Sequence, residues 1–114
     1  MSELQGIARF TFHENRVEEY KRLAVQSMEI VRAKDSGTLQ YEIYLNDDES
    51  QAIVLERYRD SEALTEHLAN LGELAESMLA TASVSGELLG EPSAELAANL
   101  AGSPVRLFTP FQSL

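Results

Sequence analysis

The hydrophobic period of this chain switches between two and about 3.6 in a set order, and no other feature narrows its folds as far. From Gly6 to His13, Ile7, Arg9, Thr11 and His13 alternate with Ala8, Phe10 and Phe12. That is a strand, with Phe10 and Phe12 turned inward. Val17, Tyr20, Ala24, Met28 and Val31 then recur at steps of three and four, with Leu23 and Ile30 widening the stripe. They predict an amphipathic helix of about five turns. Asn15 is its expected N-cap, with Glu18 completing a capping box. Asp35-Ser36-Gly37 is its expected stop, with Gly37 in the left-handed conformation. Leu39, Tyr41, Ile43 and Leu45 resume the period of two, and so does Gln51 to Tyr58 after the polar turn Asn46 to Ser50. The two runs read as a hairpin, with Ile53 and Leu55 on one face and Val54, Glu56 and Tyr58 on the other.

Asp60 or Ser61 caps a second helix whose apolar stripe is Leu64, His67, Leu68 and Leu71. Gly72 interrupts it, and Glu73 to Thr81 resumes with Leu74 and Met78 inward. Ala82 to Leu89 is a fourth strand, with Val84, Gly86 and Leu88 on one side. The order β-α-β-β-α-β predicts an α+β, ferredoxin-like antiparallel sheet with helices on one face. After Pro92 and Ser93, Ala94 to Leu100 adds a short C-terminal helix ended by Gly102, and Val105 to Phe108 a fifth strand. One domain over residues 1–114 is expected, with a core at 6–90 and an extension at 91–114. An apolar sheet face left without helices must meet another copy, so the tail is assigned to a dimer interface or to the mouth of a cavity.

Nine Lys and Arg face nineteen Asp and Glu, a formal net charge of −10. That charge opposes nucleic acid and anionic membrane surfaces, both of which select for basic clusters. The absence of cysteine excludes disulfides, thiolate metal sites and a Cys nucleophile. No basic start followed by an apolar run marks a signal peptide, so a cytoplasmic location is expected.

No glycine-rich phosphate loop, nucleophile elbow or metal-ligand spacing is present in the sequence. Asp47-Asp48-Glu49 reads as a solvated turn. His67 is the titratable residue that stands out. Its leucine neighbours turn it toward the sheet, where an imidazole is either a satisfied core group or a general base. Tyr58 ends its strand just before the His67 helix, and Tyr41 lies on the next strand. Each is either a packed tyrosine or a pocket wall with one polar handle. Arg9 is either a partner for Glu42 or Glu56, or an anchor for an anionic substrate group.

Gly37-Thr38-Leu39-Gln40-Tyr41-Glu42-Ile43-Tyr44 and Glu56-Arg57-Tyr58-Arg59-Asp60-Ser61-Glu62-Ala63-Leu64-Thr65-Glu66-His67-Leu68 carry a resemblance to a known family. Both segments resemble the antibiotic biosynthesis monooxygenase domain of the dimeric α+β barrel superfamily, a strand Glu followed by an aromatic, Ala-Leu and His. The resemblance covers residues 6 to about 90. It implies a homodimer packed sheet to sheet, with an apolar cavity between the sheet and helices of each protomer. It also implies a monooxygenase that needs no cofactor and oxidises a small electron-rich aromatic (quinol, anthrone or polyketide-like) with dioxygen. His67 and Tyr58 are the candidate catalytic residues, and Tyr58 stands where the family often has Trp. Tyr41, Glu56, Arg9, Phe12 and Met78 are the candidates for substrate contact. The alternative is a non-catalytic dimeric module of the same fold that binds a small apolar ligand. Isomerisation or lactone chemistry, as in other dimeric α+β barrel relatives, is a third possibility; it needs a proton shuttle, which His67 with Glu56 could supply.

Overall fold

The computed structural model describes residues 3–114; Met1 and Ser2, the start of the segment read above for a leader, lie outside them. The elements are β1 (Leu4–Phe12), α1 (Val17–Lys34), β2 (Thr38–Leu45), β3 (Gln51–Tyr58), α2 (Ser61–Leu71), α3 (Glu73–Leu79), β4 (Ala82–Leu89), α4 (Ala94–Leu100) and β5 (Val105–Phe108). They form one five-stranded sheet of order β2-β3-β1-β4-β5. The first four strands pair antiparallel, as expected of the ferredoxin-like arrangement, and β5 pairs parallel to β4. No helix among the described residues is long and apolar enough to cross a membrane.

The register aligns Phe10 with Ala52 and Val84, and Ala8 with Val54 and Gly86, so these residues share the face covered by the helices. Phe10, Val54, Tyr20, Leu23 and Met78 are packed in one buried cluster between that face and α1 and α3. Leu4, Tyr58, Leu64, Leu88 and Leu96 form a second cluster under α2 and α4. Each large apolar side chain buried in this way stabilises the fold by roughly 1.5–3 kcal/mol.

Two expected helix ends take other forms. Asn15 does not cap α1. It adopts a φ of 62°, a left-handed turn that Asn tolerates, and Arg16 occupies the cap position without a side-chain hydrogen bond. Gly37 is not a left-handed helix terminator either. It is buried where the chain enters β2, and a Cβ there would lie 2.5 Å from the Cβ of Ala63 in α2. The glycine permits close approach of the two elements. At α2 the cap is Asp60, whose carboxylate accepts from the Ala63 N–H at 2.9 Å. Gly72, with φ of 51°, breaks the helical run between α2 and α3.

Candidate functional site

The hollow in this molecule begins with missing side chains. On the helix-facing side of β1 and β4, Gly6, Ala8 and Gly86 sit between the large residues Leu4, Phe10 and Leu88. A Cβ on Gly86 would stand 3.0 Å from the Ile7 carbonyl oxygen, so the strands approach too closely there for a side chain. Above this floor a cavity of about 340 Å³ opens between the sheet and α2 and α3. Leu64, Leu68 and Leu71 of α2 and Met78 and Leu79 of α3 form its roof, and Leu100, Ser103, Pro104 and Val105 reach it from the C-terminal extension. A small, mostly apolar hollow with a few convergent polar groups is the usual form of a small-molecule site.

Those polar groups are His67, Tyr41, Glu56 and Tyr58. Leu64, His67 and Leu71 lie at steps of three and four on α2, so the helix that buries the leucines also buries the imidazole, which is 2% exposed. Its Nδ1 stands 2.7 Å from Asp35 Oδ2. The same carboxylate accepts from Thr38 Oγ1 at 2.6 Å and from Asn70 Nδ2 at 2.8 Å. Burial by itself pushes the Asp35 carboxyl up, but the hydrogen bonds from Asn70, Thr38 and His67 outweigh it and hold the group below its ordinary range. An ionised Asp35 only accepts, so the neutral His67 ring carries its proton on Nδ1. Nε2 keeps its lone pair, and no protein group among the described residues hydrogen-bonds to it.

The Tyr41 ring stands edge-on to the imidazole at 5.1 Å between centroids, and the Tyr58 ring lies 5.3 Å away. Tyr41 donates to Ser27 Oγ at 3.2 Å. Tyr58 donates to Glu56 Oε1. Burial raises the Glu56 carboxyl, opposed by the Tyr58 hydrogen bond and by attraction to His67, so the group is biased toward its neutral form. Burial, and then repulsion from Glu56, raise the Tyr58 phenol. Burial likewise raises Tyr41, against the pull of its bond to Ser27. The Asp35 carboxyl behind the imidazole is therefore held below its ordinary range, and the Glu56 carboxyl that lines the cavity is pressed toward protonation. Such a divergence separates a base from an acid within one site.

Of the residues singled out in the sequence, His67, Tyr58, Tyr41, Glu56 and Met78 meet in this cavity. Tyr58 is turned to the cavity and away from the opposite sheet face. Arg9 and Phe12 are not brought there. Strand alternation puts Arg9 on the far face of the sheet, where it pairs with Glu87 at 3.4 Å rather than with Glu42 or Glu56. Phe12 faces the helices but packs on Tyr20 at 4.8 Å, past the end of the cavity. The sequence reading missed Asp35, Thr38 and Asn70. Asp35 looked like a helix stop, and only the i, i+3 spacing of His67 and Asn70 hinted that α2 aims two polar groups at one partner.

The family model for antibiotic biosynthesis monooxygenase matches residues 6–80, which span β1 through α3. The chain belongs to the antibiotic biosynthesis monooxygenase family. Among similar solved structures, MupZ from Pseudomonas fluorescens is 25% identical with a TM-score of 0.85, over 98% of this chain and 93% of that one. That alignment takes in the C-terminal extension. SnoaB, a cofactor-independent oxygenase from Streptomyces nogalater, is 16% identical with a TM-score of 0.67, over 82% of this chain and 97% of that one. Its likeness concerns the fold. None of the curated proteins matches.

Proposed function

We propose that this family member oxygenates a small electron-rich aromatic with dioxygen and needs no cofactor. The observation that carries the reading is His67 in the wall of a mostly apolar cavity, backed by the buried Asp35 carboxylate. A phenol, quinol or anthrone bound there gives its proton to His67 Nε2 and becomes an electron-rich anion able to reduce dioxygen. For an anthrone, the ring CH₂ loses four electrons and becomes a carbonyl. Dioxygen gains four, with one oxygen entering the product and the other leaving as water. Tyr41 and Tyr58 supply aromatic walls for the ring, and Met78 an adaptable apolar contact. The likeness in fold to a cofactor-independent oxygenase supports the reading.

The test is dioxygen uptake by metal-free protein against hydroquinones, anthrones and related phenols. His67→Ala should lower the rate about 10²–10⁴-fold with the circular dichroism unchanged. Undiminished turnover would remove His67 from the mechanism. No uptake across the series would favour a module that binds without catalysis.

The working unit in this reading is a homodimer. Ile7, Leu55, Ile53, Leu89 and Phe108 lie on the sheet face away from the helices, with Ile53 38% and Phe108 45% exposed. A sheet face that leaves large apolar side chains exposed in this way, beside the Arg9–Glu87 pair, is commonly covered by a second copy. Sedimentation should show the dimer at micromolar concentration; a stable monomer would contradict it.

A further inference from the structure

We propose that the cavity takes a head-and-tail ligand, an oxygen-bearing ring at its His67 end joined to an apolar chain that runs to a wall built by the C-terminal extension, and that Leu100 and Val105 in that wall set the longest chain admitted. This rests on the reading of the cavity as the substrate site and adds the substrate class.

The two ends of the cavity differ because different strands supply them. His67 stands against the rings of Tyr41 on β2 and Tyr58 on β3, and Glu56 lies on β3, so the polar groups gather toward one edge of the sheet. Val105 lies on β5 at the opposite edge. Neighbouring strands are about 4.8 Å apart, which puts β5 roughly 14 Å from β3. Between them the floor is the row Val54, Ala8, Gly86 and Val105, aligned across four strands. Its two central members carry almost no side chain, which leaves a trough from the polar end toward Val105.

The extension closes the far end. Leu96 of α4 is buried in the cluster that holds Leu64 and Leu88, and the Ser93 N–H donates to Ser61 Oγ at 2.8 Å, which ties α4 to α2. After Leu100 the chain turns through Gly102, with a φ of 84°, and enters β5. Ser103 braces this turn. Its hydroxyl donates to the Leu100 carbonyl at 2.6 Å and accepts from the Val105 N–H at 3.2 Å. With that hydroxyl committed to the backbone, the extension offers a ligand leucine, proline and valine. An apolar chain suits such a wall, because a polar one would give up its water without gaining a partner. Beyond the wall is a second hollow of about 180 Å³. Leu100, Ser103 and Val105 line both hollows and so form the partition between them. The partition lies beyond residues 6–80, the part of the chain that the family model matches.

The experiment is calorimetric titration of the whole protein, under argon, with hydroquinones that carry one straight alkyl chain of one to ten carbons. In the wild type, affinity should rise about fourfold with each carbon buried until the chain meets the wall, and then level off or fall. Val105→Ala removes two carbons from the wall and Leu100→Ala three, and each should move that break to chains longer by about as many carbons. Val105→Phe should move it to shorter chains. Both positions are half-buried, and thermal melts check that the variants fold. Opposite shifts at one position cannot come from a general loss of stability. His67→Ala should weaken the whole series and leave the break in place; a break moved by that variant would overturn the orientation of the ligand. A series without a break, a break that no wall variant moves, or no binding by any member overturns the proposal. Oxygen uptake in air is read separately. A movable break without uptake upholds the chain site and refutes the oxygenase, and uptake with a fixed break does the reverse.

Discussion

Asp35→Asn probes the centre of the site without knowledge of the substrate. In the wild type two carboxylate oxygens accept from three donors, Thr38, His67 and Asn70, and the Asp35 side chain is 1% exposed. Asparagine offers one acceptor oxygen and one donor nitrogen. If its oxygen faces His67 and Thr38, its NH₂ opposes the NH₂ of Asn70. If it turns round, it donates to His67 Nδ1 and forces the imidazole proton onto Nε2. Either arrangement strands a buried donor, at about 1–3 kcal/mol, and replaces charge-assisted hydrogen bonds by weaker neutral ones. A loss of about 2 kcal/mol in a domain of this length lowers Tm by roughly 8 °C. The sign with pH follows from the depressed Asp35 carboxyl. The stabilisation is complete above the ordinary carboxylate range and disappears as pH falls through the lowered folded-state value. Thermal melts of both proteins should therefore differ at neutral pH and converge in acid. Nitrogen-15 NMR of the imidazole should report Nδ1–H in the wild type, and base-dependent turnover should fall about 10²–10⁴-fold in the variant. Equal melts at neutral pH with an unchanged tautomer would refute the dyad.

Glu56→Gln should stabilise the protein at neutral pH. The raised Glu56 carboxyl is fully tolerated below the ordinary carboxylate range and becomes a burden as pH rises through its folded-state value. Melts across that range should show the variant's advantage growing with pH, and a constant difference would contradict the assignment. Tyr20 is buried, and among the described residues its hydroxyl has no hydrogen-bond partner. Tyr20→Phe should hold stability level or gain about 1 kcal/mol in urea unfolding, against the loss that a bonded tyrosine would show. Gly37→Ala places a methyl group 2.5 Å from Ala63 Cβ and should cost about 1–3 kcal/mol. Unchanged unfolding in that variant would mean that α2 and the start of β2 are not in close contact.

The chain's periodicities located all nine elements to within about two residues, because each element has to bury a face and so writes its own period into the sequence. The exceptions were turns. Asn15 has the composition of a cap, and Gly37 that of a terminator, but backbone conformation and the approach of Ala63 decide their roles. The sequence places His67 among leucines and puts Glu56 and Tyr58 two apart on one strand face, and these local relations survive intact. It also identified an antibiotic biosynthesis monooxygenase signature, which the family match bears out.

Long-range partnership was not legible. Arg9 alternates with Phe10 along β1, and a period of two marks opposite faces without saying which charge waits on the neighbouring strand; β4 supplied Glu87. Asp35 lies 32 residues from His67 and meets it only because α1 and α2 pack side by side on the same sheet face. The cavity is likewise a product of register. Gly6 and Ala8 on β1 pair with Leu88 and Gly86 on β4, which gathers three small residues in one patch. Sequence by itself determined the elements, their inward faces and the family. Tertiary structure alone decided which groups meet, because a contact between distant residues depends on strand register and helix packing, and neither has a period that a single chain displays.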